Sequence, residues 1–101
     1  MDKKYLLKLY IVGGTSHSER VVAEVRKICE EELDHHYVLE VIDVLEHPAL
    51  AEDERIIATP TLIKVLPEPL RRVFGDLSDR EAVVLGLDLR PLGDTPDTDV
   101  P

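Results

Sequence analysis

The amino-acid sequence predicts a single α/β domain that begins with a right-handed βαβ unit. An apolar run ends at Gly13-Gly14, an amphipathic helical pattern follows it, and a second run rich in β-branched residues begins at Tyr37. The length of 101 residues suits one domain and is too short for two ordinary ones. The spacing of the two runs fits parallel strands joined by a right-handed helical crossover.

The first three elements follow from local patterns. Residues 4–12 are predicted to form a strand because their apolar run stops at the glycine pair. A helix is predicted over residues 17–33, where Ser16 and Glu19 have the capping-box spacing. Its apolar stripe consists of Val21, Val22, Val25, Ile28, Cys29 and Leu33. Residues 37–45 have the composition of a second strand.

The second half of the sequence fits more than one pattern. Residues 47–54 predict a short helix with Pro48 in its first turn. Residues 56–66 and 70–74 favour two strands, although periodicity alone does not exclude helix. Ser78 and Glu81 form another capping box that favours a terminal helix, yet residues 82–89 also have the composition of a strand. These conflicts indicate either two competing packings or ordinary ambiguity in short apolar segments.

Composition excludes several functions. The chain has 12 basic and 21 acidic residues, a formal net charge of -9, which makes nucleic acid an unfavourable partner. No segment is apolar enough to span a bilayer or to serve as a signal peptide, so we expect a soluble cytoplasmic protein. Beyond a domain of residues 1–90, residues 91–101 are rich in Pro and Asp and are expected to form a disordered acidic tail.

No catalytic or cofactor site emerges from the residue types. Cys29 is the single cysteine, which excludes an internal disulfide, a dithiol pair and a cysteine zinc cluster, and its place on the apolar stripe predicts an inert core thiol. The four histidines lack metal-ligand spacing. They are His17, His35, His36 and His47. The glycine pair lacks a phosphate-loop pattern. The sequence therefore predicts no cofactor and no metal.

A proline segment and a set of basic residues are the stronger candidates. Thr59-Pro60 resembles the proline segment of thioredoxin-like folds, where the bond before proline is often cis. Residues 13–18, which occupy the place of the thioredoxin redox pair, contain no thiol. Basic residues in this acidic chain predict a docking patch for carboxylates. They are Lys8, Arg20, Lys64, Arg71 and Arg72.

Short segments spread over residues 4–90 stand in an order and spacing that is shared with a known family. They are Tyr5-Leu6-Leu7-Lys8-Leu9-Tyr10, Val41-Ile42-Asp43-Val44-Leu45, Leu50-Ala51-Glu52, Ile57-Ala58-Thr59-Pro60-Thr61-Leu62, Lys64-Val65-Leu66-Pro67, Pro69, Arg71-Arg72, Gly75-Asp76-Leu77-Ser78 and Gly86-Leu87-Asp88-Leu89. Through these segments the chain resembles the KaiB family of circadian-clock proteins.

The resemblance implies a protein without enzymatic activity that binds the ring-shaped ATPase KaiC and modulates its phosphorylation cycle, and that in some systems also binds KaiA. It implies a metamorphic α/β fold, with a homo-oligomeric βαββααβ ground state, a dimer or tetramer, and a monomeric thioredoxin-like βαβαββα state that binds KaiC. The five basic residues match basic or partner-facing positions of the family. Candidate positions for the conformational change are Thr59, Pro60, Pro67, Pro69, Gly86 and Asp88.

The sequence departs from the family's usual residues at Gly14, His17 and Glu68, which puts the switching balance in question. Two alternatives remain open at this point. One is a thioredoxin-like redox or glutathione-dependent enzyme that uses Cys29, and the other is a signalling adaptor that never changes its fold.

Overall fold

The computed structural model describes residues 4–89, which form a βαβαββα domain. The elements are β1 (Tyr5–Ile11), α1 (Ser16–Leu33), β2 (Tyr37–Asp43), α2 (Pro48–Asp53), β3 (Thr61–Leu66), β4 (Arg71–Phe74) and α3 (Arg80–Gly86). This order is the thioredoxin-like arrangement that the family resemblance implies. The structure contains this one arrangement, so the second fold stays a prediction.

Four strands form a mixed sheet in the order β2-β1-β3-β4. Strands β1 and β2 are parallel, with Leu7 opposite Leu39, which confirms the predicted βαβ crossover. Strand β3 runs antiparallel to β1 and β4 antiparallel to β3, so that Leu62 lies between Leu9 and Val73. The two central strands are therefore β1 and β3, and the free edges of the sheet belong to β2 and β4.

Helices cover the two faces of the sheet unequally. On the face that we call the helical face, apolar side chains of β1 and β3 pack with α1 and α3 in the larger core cluster. This cluster consists of Tyr5, Leu7, Leu9, Ile11, Val25, Ile28, Cys29, Leu33, Leu62, Leu77, Val83, Leu87 and Leu89. On the opposite face, Tyr10, Ile42 and Ile63 form a small cluster against Ala51 of the six-residue α2.

Helix starts differ by one residue from their prediction. The N-cap of α1 is Thr15 rather than Ser16, because the Thr15 hydroxyl accepts a hydrogen bond from the Ser18 amide at 3.0 Å. The N-cap of α3 is Asp79 rather than Ser78, since the Asp79 carboxylate accepts from the Ala82 amide at 3.2 Å. Either residue type can accept a hydrogen bond from a free helical amide, so the sequence pattern alone does not separate adjacent cap candidates.

The ambiguous second half adopts helix over residues 80–86 and strands over 61–66 and 71–74. The strand interpretation of residues 82–89 is wrong for this arrangement. Val83 and Leu87, four positions apart, both face the core, whereas Leu85 between them is 75% exposed. That pattern is helical rather than alternating. The predicted acidic tail lies outside the described residues.

Candidate partner-binding surface

The place of a thioredoxin redox pair holds a shallow cleft with no thiol. It lies between the C-terminal end of β1, the start of α1 and the Thr59-Pro60 bond, which is cis as expected from the resemblance. The lining residues are Ile11, Val12, Thr15, His17, Ser18, Val21, Thr59 and Pro60. Hydroxyls of Thr15 and Ser18 are hydrogen-bonded to each other and to the first turn of α1. They serve the helix cap rather than a nucleophilic site.

Cys29 is not positioned for thiol chemistry. Its side chain lies in the core cluster and is 1% exposed. Burial raises the pKa of the Cys29 thiol to about 12, since the thiolate would lose its hydration there. A thiol of this pKa is almost entirely protonated at neutral pH and is a poor nucleophile. The prediction of an inert core cysteine is confirmed.

The four histidines do not form a site together. His17 borders the cleft, and His47 occupies the N-cap position of α2 without a side-chain cap bond. Exposed His35 lies 3.9 Å from Glu30 and 3.7 Å from Asp34, and the carbonyl of His36 accepts a hydrogen bond from the Tyr5 amide. No group of three metal-ligating side chains occurs within residues 4–89.

The structure separates the five predicted docking residues. Lys64 is 1% exposed, because alternation along β3 places it with Leu62 on the helical face. It is therefore unavailable to a partner in this arrangement. Lys8 is half-buried on the opposite face of β1, where Glu40 and Ile63 are its cross-strand neighbours. Arg20 is exposed on α1, whereas the other four residues lie on strands of the sheet.

Arg71 and Arg72 are brought together at the free edge of the sheet. Both are exposed on β4, and their side chains leave opposite faces because they are adjacent in a strand. Arg72 donates a hydrogen bond to the Glu54 carbonyl at 3.0 Å and lies 3.8 Å from the Glu54 carboxylate. Arg71 makes no ion pair or hydrogen bond through its side chain within residues 4–89.

The predicted switch positions lie where the second half packs on the sheet. Gly86 ends α3 so close to β4 that a Cβ atom there would lie 2.5 Å from Cγ2 of Val73. Asp88 has a φ of 56°, a left-handed conformation that Asp tolerates better than most residues. The bonds preceding Pro67 and Pro69, between β3 and β4, are both cis.

Exposed apolar side chains next to the arginines were missed by the sequence reasoning. Leu70 and Phe74, which flank the arginine pair, are 51% and 59% exposed, and Ile57 in the loop before β3 is 91% exposed. The sequence contained a signal for this exposure. The predicted strand of residues 70–74 has apolar residues at both ends and two charges between them, so it does not alternate as a half-buried strand does. Large exposed apolar side chains beside charges are typical of contact surfaces.

Together these features define a thioredoxin-like α/β domain that has no redox thiol pair and that exposes a basic strand edge. No helix in the described part of the chain has both the length and the apolar character needed to cross a membrane. The family model of the KaiB domain matches residues 8–89. The chain therefore belongs to the KaiB family.

Comparisons with individual proteins agree. The circadian clock oscillator protein KaiB of Microcystis aeruginosa is 56% identical over 87 residues, which cover 86% of this chain and 84% of the relative. KaiB of Prochlorococcus marinus strain MIT 9312 is also 56% identical over 87 residues, covering 86% of this chain and 83% of the relative. Because the chain belongs to the same family as these relatives, it is a circadian-clock protein and not an enzyme, as predicted.

Solved structures resemble this fold. The N-terminal domain of Synechococcus elongatus SasA matches with a TM-score of 0.71 and 31% identity, over 84% of this chain and 82% of that chain. The thioredoxin Deadhead of Drosophila melanogaster matches with a TM-score of 0.65 and 16% identity, over 83% and 78% of the two chains. The thioredoxin match confirms the predicted fold class and carries no functional information.

Proposed function

We propose that this chain regulates a KaiC-like ATPase ring by binding it as a monomer in the βαβαββα arrangement, and so modulates its phosphorylation cycle. In the cytoplasm, residues 1–90 act as one domain, with residues 91–101 as an acidic tail. The resting form is a homo-oligomer, a dimer or tetramer with the βαββααβ fold. KaiA is a further partner in systems that contain it.

The observation that carries this proposal is the exposed arginine pair of β4 in a chain of net charge -9. Arginines on an acidic protein attract a partner's carboxylates locally, while the remaining surface repels other acidic proteins. Arg71 has no carboxylate partner within residues 4–89, so a partner's carboxylate need not displace an existing one. Because Lys64 is buried in this arrangement, the docking set consists of the exposed Arg20, Arg71 and Arg72 and the half-buried Lys8.

The conformational part of the proposal is supported by the divided sequence of the second half. Residues 82–89 satisfy a strand pattern, yet they form α3 and the turn after it. A binding-competent state populated at about 1% lies only about 2.7 kcal/mol above the major state, which a partner interface can offset. Binding to the ring would then draw the chain out of its resting oligomer.

The decisive experiment mixes the purified chain with a KaiC-type ATPase and either ADP or ATP. We expect a complex in native mass spectrometry whose yield depends on the nucleotide and rises over hours. Arg71→Glu should reduce its yield several-fold, whereas Arg26→Glu should not, because Arg26 is exposed on α1 and lies outside the docking set. The absence of any nucleotide-dependent complex after long incubation would contradict the proposal.

The change of fold is tested separately by NMR of the free chain and of the chain with the ring. We expect two sets of resonances for residues 47–89, with one set selected by the ring. Substitutions at Gly86 or Asp88 should alter their ratio, because both positions shape the end of α3. A single unchanging set of resonances under both conditions would instead indicate an adaptor with one fold.

A further inference from the structure

The free edge of β4 offers backbone hydrogen bonds as well as charge. The Gly75 amide donates to the Pro60 carbonyl at 3.3 Å, a single bond because Pro60 has no N–H, and this bond continues the ladder at a hydrogen-bonded position. Such positions alternate along an antiparallel ladder. The pairs Leu62 with Val73 and Lys64 with Arg71 are therefore also hydrogen-bonded.

The residues between these pairs point their backbone groups the other way. The N–H and C=O groups of Arg72 and Phe74 face outward, and β4 is the last strand of the sheet within residues 4–89. Two donors and two acceptors are thus presented along one edge. The arginine side chains lie above and below this edge, and Leu70 and Phe74 lie at its ends.

We infer that β4 is a site for strand addition, occupied by an extended acidic segment of the ATPase partner. This inference rests on the proposed function and specifies how the partner is held. A strand laid along β4 would accept and donate backbone hydrogen bonds at Arg72 and Phe74. Its carboxylates would meet Arg71 on one face and Arg72 on the other, since successive side chains of a strand alternate.

Charge distinguishes this edge from the other one and from an intramolecular occupant. The opposite edge strand, β2, carries Glu40 and Asp43 and no basic residue, so it would repel an acidic segment. The chain's own residues 90–101 are acidic, but Pro91 and Pro96 remove backbone donors that strand pairing needs. An acidic segment of another protein is the occupant that fits.

Hydrogen exchange in the complex tests the inference. The complex with the KaiC-type ATPase is incubated in deuterated buffer, then dissociated, and the amides are read by NMR. We expect the Arg72 and Phe74 amides in the complex to exchange at least roughly tenfold more slowly than unpaired amides, as for backbone hydrogen bonds made with the partner. Arg71 and Val73 serve as internal controls, because their amides pair with β3 in the βαβαββα arrangement whether or not a partner is bound.

A pair of variants separates backbone pairing from side-chain contact. Phe74→Pro removes both the side chain and the outward N–H, whereas Phe74→Ala removes the side chain alone. We expect Phe74→Pro to bind the ring roughly fivefold more weakly than Phe74→Ala, the loss that one backbone hydrogen bond predicts. Circular dichroism checks that each variant keeps the fold.

The outcomes are distinct. If the complex forms while the Arg72 and Phe74 amides exchange at the rate of unpaired amides, or if the two variants bind equally, strand addition is overturned while the proposed function stands. If the wild-type chain forms no complex, the proposed function fails and the inference fails with it.

Discussion

Gly86→Ala and Val73→Ala together test how the second half packs on the sheet. A Cβ at position 86 would lie 2.5 Å from Val73 Cγ2, whereas carbon atoms in contact are normally about 3.5–4.0 Å apart. Val73 must then leave its rotamer or α3 must shift, at a cost of about 1–3 kcal/mol. Alanine instead of glycine in a helix returns at most about 1 kcal/mol. Gly86→Ala alone should therefore destabilise the chain by about 0–2 kcal/mol.

In a Val73→Ala background the same substitution should stabilise the chain by up to about 1 kcal/mol, because the clashing methyl group is gone and only the helix-propensity gain remains. The expected coupling energy is about 1–3 kcal/mol. Urea unfolding of all four proteins, followed by circular dichroism at one protein concentration dilute enough for the βαβαββα form to predominate, measures it.

Leu85→Ala combined with Val73→Ala is the control, since Leu85 is 75% exposed on the same helix and should act additively. A coupling energy below about 0.5 kcal/mol for the Gly86 cycle would refute the packing of Gly86 against Val73.

Three further outcomes follow from single residues. Cys29 in the native chain should not react with a thiol reagent at pH 8 until the chain unfolds. The free energy of unfolding should fall as pH rises from about 9 towards 12, because unfolding lets Cys29 ionise at its ordinary pKa. Rapid labelling of Cys29 in the native protein would contradict this expectation. Asp79→Ala should lower the free energy of unfolding in urea by about 1 kcal/mol and Ser78→Ala by much less, since Asp79 caps α3. Equal losses for the two variants would show that Asp79 is not the cap. Burial and the 2.6 Å hydrogen bond to Glu30 raise the pKa of Tyr37 to about 12, so Tyr37→Phe should remove the most alkaline step of an ultraviolet tyrosine titration; persistence of that step would refute the assignment.

The first half of the fold was predictable because its signals are local and agree with one another. β1, α1 and β2 each have one apolar pattern, and the observed bounds differ from the predicted ones by at most two residues. The segment that became α3 was not decidable in this way. Residues 82–89 fit helix and strand alike, and the burial of Val83 and Leu87 against the helical face decides between them.

Lys64 shows why the candidate surface was predicted only in part. Lysine is rarely buried, so its presence near Arg71 and Arg72 favoured a shared basic patch. The alternation of Leu62, Lys64 and Leu66 along β3 already placed this lysine on the face of its leucine neighbours. Which face would be covered by helices depended on α3, whose existence the sequence left open. The ambiguity in one element therefore left the exposure of Lys64 undecided in the sequence.

Core packing limits what a second fold can be. Leu62, Leu77, Val83, Leu87 and Leu89 all join the main core from the half of the chain whose pattern is divided. Burying each such side chain contributes about 1.5–3 kcal/mol, so a rearrangement that exposed all five would lose roughly 7–15 kcal/mol, as much as the whole stability of a small domain.

A second fold must therefore bury these side chains again. In a chain of only 101 residues, contacts between copies of the chain can supply the apolar surface that covers them. Rearrangement and self-association should then be coupled, and dilution should raise the fraction of the βαβαββα form by mass action. NMR at decreasing concentration measures this fraction. A second fold whose population does not change with concentration would show that one copy can repack its core alone, and would break the link between the two processes.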